Sequence, residues 1–353
     1  MDHPYVHLPA KAYWRQAISD VNALHLENIY EPRFQISKST RVAAAGSCFA
    51  QHIGRQFKQR GYGFVDVEPP PPLLTPESYH KFGYDLYSAR YGNVYSPRQL
   101  LQLFQRAYGE LHPPGEFWFT GGRYYDPFRP SIEEGGFSTE AEAAVLQSAH
   151  LAKVREILPQ TQIFVFTFGL TEAWIDADTG IVYPTCPGTI AGEFDPNRHR
   201  FHNFSFSEII ADVEAFISLA RGVNPRMQFL FTVSPVPLTA TASGGHVLPA
   251  TIYSKSVLRA VCGELHQRHK FVDYFPSYEL VASHPMRAVF FDPNLRTVAT
   301  RGVEHVMNVF FSAHGGTALI ADVHGQKPDA SAPATAHPDD IFCDEEFLDG
   351  RRQ

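Results

Sequence analysis

Four cysteines in 353 residues are too few and too scattered for a disulfide framework. Cys48, Cys186, Cys262 and Cys343 stand far apart, and no pair has the Cys-x-x-Cys spacing of a zinc site. Positive charge is not in excess either. With 30 Lys and Arg against 37 Asp and Glu, the formal net charge is −7. No basic stripe interleaved with aromatics occurs, so a nucleic-acid groove is not expected. No run approaches the ~18 apolar residues of a membrane span. The opening MDHPYVHLPAKAYWRQ lacks the basic start and apolar stretch of a secretion signal. The expectation is a cytoplasmic protein with no membrane span. His199 and His202 stand three apart, but no acid or cysteine lies nearby at ligand spacing, and no glycine-rich loop has phosphate-binding spacing. Neither a metal nor a cofactor is therefore expected.

What the chain does have is length, aromatics (28 Phe, 16 Tyr) and an alternation of buried strands with amphipathic helices. Residues 1–36 read as a lead-in segment, with a short helix over 20–27. A strand over 41–45 hands over to a helix over 49–60, in which Phe49, Ile53 and Phe57 recur at fourth positions. A strand-like piece follows at 64–67, and Pro69–Pro72 then enforces an extended loop. Further helices are expected from Ser96-Pro97 to Tyr108, over 137–157 with Ser138 as cap, and over 206–225, 254–269 and 300–311. "WFTGGRYYDPFRP" reads as a hairpin turning at Gly121-Gly122. Buried strands are expected at 161–169, 227–237 and 271–278. This alternation predicts an α/β fold: a parallel sheet with helices on both faces. Residues 37–326 form its single domain, with insertions around 69–135 and 175–205. Residues 327–353 read as a flexible acidic tail, with "IFCDEEFLDG" available to a protein partner or to the body itself.

Open α/β sheets bind ligands at the carboxyl ends of their strands. This layout brings Ser47, Gly169 to Glu172, Ser234 and Tyr278-Glu279 to that edge. Ser47 would receive the free N–H groups of the following helix, which suits an oxyanion and equally suits a plain helix cap. Cys48 is the rival nucleophile, since a helix N-terminus lowers a thiol pKa; buried cysteine is more often a small packing residue.

"GSCFA" at 46–50, with "YGNVYSPRQL", "DPFRP", "TFGLTEAW", "TVSPVP", "YSKSVLRA", "YFPSYE" and "GVEHVM", resembles the GSCFA family across residues 35–312. That family looks like a branch of the SGNH/GDSL-type esterases and acyltransferases. The resemblance implies a flavodoxin-like three-layer fold with Ser47 as nucleophile. It also implies an oxyanion hole made by the amides of Ser47 and Gly92 and a side chain. "GLTE" puts Thr171 where such enzymes carry Asn, so Asn93 is the alternative donor. The late Asp-x-x-His of SGNH enzymes reads Asn294 to Thr297 here, without acid or imidazole. A serine needs a base within hydrogen-bond reach, and the candidates are His246 and His284, with Glu279 or Asp292 available to orient one of them. The implied activity is an esterase or O-acyltransferase working on an acyl ester of a small molecule or carbohydrate. The alternative is a non-catalytic module that binds a glycan or a protein.

Overall fold

The computed structural model describes residues 2–113 and 117–316, together with Asp344 and Leu348. Four parallel strands form the central sheet: β1 (Val42–Gly46), β4 (Ile163–Phe168), β8 (Gln228–Val233) and β9 (Val272–Tyr274), side by side in that order. Their register is continuous, with Ala44 opposite Val165 and Val165 opposite Leu230. The expected strand at 64–67 survives as a single parallel bridge, Val42 to Phe64, on the outer side of β1. Counting that piece second in chain order, the sheet runs 2-1-3-4-5, which is the flavodoxin-like winding.

Alternation along the strands sorts side chains into two layers. Phe164, Phe166, Phe229 and Phe231 point to one face, where they meet α2 (Pro97–Tyr108), α3 (Glu140–Gln160), α4 (Phe206–Val223) and α5 (Val247–Arg268). Val42, Ile163, Val165 and Leu230 point to the other, against α1 (Phe49–Gln59), α6 (Ser277–Ala282) and α7 (Thr300–Ala313). The lead-in segment lies on this second face through Tyr30 and Ile36. The alanines of β1 leave room for bulky neighbours such as Phe104 on one side and Phe49 on the other.

Two small antiparallel sheets stand apart from the central one. β2 (Trp118–Thr120) and β3 (Arg123–Tyr125) make the expected hairpin around Gly121-Gly122. β5 (Glu172–Asp176) pairs with β6 (Val182–Tyr183) and β7 (His199–Asn203), so the chain changes sheets immediately after β4.

Several boundaries differ from expectation for local reasons. The helix expected over 20–27 is only a 3-10 turn, Ala23–His25, because Asn22 accepts from the Leu24 amide and closes a tight turn. Thr139, not Ser138, caps α3 by accepting from Glu142 N, while Ser138 N donates to the Glu142 carboxylate. α5 begins at Val247, ahead of the expected 254, with His246 as its cap. Among the described residues no helix is long and apolar enough to cross a membrane, and no group of three or more potential ligands gathers around a metal position.

Candidate active site

The carboxyl edge of the sheet is where β1 stops and α1 starts. Gly46 has φ +147°, and a Cβ there would lie 2.6 Å from Thr167 O, so β1 and β4 meet this closely only with glycine. The Ser47 amide donates to Thr167 O at 3.2 Å, extending the β1–β4 ladder by one rung. Ser47 O accepts from Ala50 N at 2.8 Å and from the Tyr87 hydroxyl at 3.2 Å. Ser47 is 3% exposed, and its Oγ has no hydrogen-bond partner among the described residues. The side chain therefore does not cap α1. A buried hydroxyl left without a partner costs roughly 1–3 kcal/mol, so its persistence asks for a reason beyond folding. Cys48 is buried beside it.

Three segments wall this turn. Gly169, just after β4, comes so close that a Cβ there would lie 2.9 Å from Ser47 Cβ and 3.0 Å from Tyr95 O. Its amide and that of Leu170 both donate to Tyr95 O. α5 grips the same turn from the far side. The buried Lys255 ammonium donates to Gly169 O at 2.7 Å, and Ser254 Oγ accepts from Thr171 N at 3.0 Å. The third wall is the 91–95 loop. Gly92 adopts φ +70°, and its amide has no acceptor among the described residues. Asn93 is buried; its Oδ1 accepts from Gln51 Nε2 at 3.1 Å and from the Tyr87 hydroxyl. That pair fixes the amide orientation and turns Nδ2 outward, toward the carboxylate of Asp344 at 2.8 Å. Burial pushes the Tyr87 phenol well above its ordinary value, so it stays a neutral donor.

The remaining candidates are spread more widely. Thr171 is buried, and its hydroxyl donates to Asn203 Oδ1 at 2.7 Å, which ties β5 to β7. Glu172 accepts from the Thr241 hydroxyl at 2.7 Å, and burial raises its carboxyl pKa. Glu279 is held by Arg259 at 2.6 Å and the Tyr274 hydroxyl at 2.8 Å. His246 is exposed, and its Nδ1 accepts from Leu248 N at 3.1 Å. His284 is exposed and stacks on Trp14, with ring centroids 5.3 Å apart. Ser47 Oγ is bonded to neither imidazole. Where SGNH enzymes carry Asp-x-x-His, Asn294 Oδ1 accepts from the amides of Arg296 and Thr297 at 2.9 Å in an exposed turn. The Asp292 backbone brackets that turn, its amide donating to Thr297 O and its carbonyl accepting from Leu295 N.

Gln51, Tyr87, Tyr95, Ser131, Lys255 and Asp344 all take part around this edge and were not singled out from the sequence. Gln51 was legible in principle, since it stands one helical turn after Ser47. The others come from distant segments and carry no local signal.

The fold is thus a flavodoxin-like parallel sheet with a serine turn at the end of β1. The GSCFA family matches residues 41–310, and the chain belongs to that family. A comparison with curated proteins finds no match. Among solved structures, an acetyl esterase mutant with an acetate ion is 10% identical, covering 78% of this chain and 99% of its own, at a TM-score of 0.34. A carbohydrate esterase family 3 protein from Talaromyces cellulolyticus is 9% identical over 79% of this chain and 100% of its own, at 0.35. A putative GDSL-like lipase from Parabacteroides merdae ATCC 43184 is 10% identical over 80% and 99%, at 0.32.

Proposed function

We propose that the protein is an SGNH-like serine esterase or O-acyltransferase that forms an acyl-enzyme at Ser47, on an acyl ester of a carbohydrate or glycoconjugate. The observation that carries this reading is the buried Ser47 hydroxyl, without a hydrogen-bond partner among the described residues, at a turn walled by the loop that holds Gly92 and Asn93. Ser47 Oγ attacks the acyl carbon, its proton passes to a base, and the carbonyl electrons move onto oxygen. Collapse of that oxyanion expels the alcohol, which takes the proton from the base. Water or a second hydroxyl then removes the acyl group by the same steps. Gly92 and Asn93 hold the oxyanion, each such donor being worth roughly 10²–10³ in rate. The base in this reading is a histidine, His246 ahead of His284.

A second reading is a non-catalytic module that binds a glycan or protein. It is favoured by the lack of any bonded base at Ser47 among the described residues, and by the Asn294–Thr297 turn. A fluorophosphonate probe separates the two. Labelling of the full chain is expected at Ser47, lost in Ser47→Ala and slowed about 10²–10⁴-fold in His246→Ala or, failing that, His284→Ala. No labelling between pH 6 and 9 assigns the binding module.

A further inference from the structure

Asp344 stands near the end of the chain, yet it is 3% exposed and sits against the 91–95 loop. Its Oδ2 accepts from Asn93 Nδ2 at 2.8 Å and from the Tyr95 hydroxyl at 3.4 Å. Its Oδ1 accepts from the Ser131 hydroxyl at 2.7 Å, and its own amide donates to the Tyr95 oxygen at 3.2 Å. The described groups touching this carboxylate are thus three neutral donors. Buried carboxylates ordinarily take an arginine, a lysine or a metal, because desolvating the charge costs several kcal/mol. Burial raises the Asp344 carboxyl pKa, as expected for a carboxylate held by hydrogen bonds alone.

The Asn93 donor does not depend on Asp344 for its aim. Gln51 and Tyr87 set the Asn93 amide from the opposite side, and the Tyr87 hydroxyl also bonds to Ser47 O. Tyr95 is held by its backbone, which accepts from Gly169 and Leu170. Gln51, Gly92, Asn93 and Ser131 also line a small cavity, together with His80 and Lys81. A set of neutral donors that donates to both oxygens of one planar group fits a carboxylate.

We propose that Asn93, Tyr95 and Ser131 form a binding site for a small carboxylate, the acid half of an ester, and that Asp344 fills it in cis. Asp344 then competes with carboxylate ligands for this site. The link to catalysis rests on the reading of Asn93 as an oxyanion donor; the pocket itself does not.

The probe is ¹³C-labelled acetate, titrated by NMR into the full chain and its variants. Asp344→Ala is expected to bind acetate at least tenfold more tightly than the unaltered chain. Adding Ser131→Ala should remove that gain, and adding Ser47→Ala should leave it in place. Equal acetate binding with and without the Asp344 carboxylate overturns the proposal, as does a gain that survives Ser131→Ala. Asp344→Asn keeps the shape without the charge and serves if the alanine variant does not fold; it should give the same direction. Acetate binding without fluorophosphonate labelling would leave the site standing and remove the esterase reading. Labelling with no acetate response to Asp344→Ala would do the reverse.

Discussion

At Gly169 only a hydrogen fits between the Cα, Ser47 Cβ and the Tyr95 carbonyl. Gly169→Ala must push one of those walls aside. A loss of roughly 1–3 kcal/mol in urea unfolding is expected, together with weaker fluorophosphonate labelling, because the displaced atoms are those that place Ser47. Gly222 offers the control. Nothing lies within 4 Å of a Cβ built there, and Gly222→Ala should be neutral or slightly stabilising by the same measurement. At this scale the sequence was informative where chemistry is local. The small residues of β1, the break at Gly46 and the following helix could be read directly, and they put Ser47 at a strand end. The setting of its hydroxyl could not be read. It depends on Thr167, Tyr87 and Gly169, each brought in from another part of the chain.

Helices carry the pH response. His52 on α1, His150 on α3 and His314 after α7 all have pKa values lowered by burial, from 6.5 to about 3, about 4 and about 4. Arg55 adds to the effect at His52, and Arg129 adds at His150. Each ring stays neutral in the folded chain at pH values where the unfolded chain takes up a proton. Their contribution is present in full above about pH 6.5 and is lost as pH falls toward 4. Unfolding free energy should drop between pH 7 and pH 5 by on the order of 1–2 kcal/mol for each buried ring, read from denaturant titrations. His150→Gln should flatten part of that slope. Periodicity placed most of these helices correctly but not their first turns, because a cap is a contest between neighbours. Ser138 and Thr139 both qualify by type, and the one whose oxygen meets the Glu142 amide starts α3. His246 precedes the helix expected from 254 and in the structure opens α5, where its ring nitrogen satisfies the Leu248 amide.

For the whole molecule, the reading of a parallel sheet between two helical layers follows from alternating buried strands and amphipathic helices, and the structure has that form. Long-range pairing was not legible, since nothing near residue 344 announces a partner near residue 93. The expected flexible tail otherwise falls outside the described residues. Asp344 is buried without a charged partner among its described contacts, so its removal should cost the body little. A chain ending at residue 326 is expected to keep its near-ultraviolet circular dichroism and to lose less than about 1 kcal/mol on unfolding. It should also label faster at Ser47 than the full chain does. The edges of the central sheet have a consequence of a different kind. On one side β1 meets a single bridging residue, and the chain then runs into four prolines, which present no amide donors; on the other, β9 is only three residues long. Few unpaired rungs are left for a second chain to extend, so the two flanks of the sheet discourage strand-by-strand stacking between molecules at high concentration.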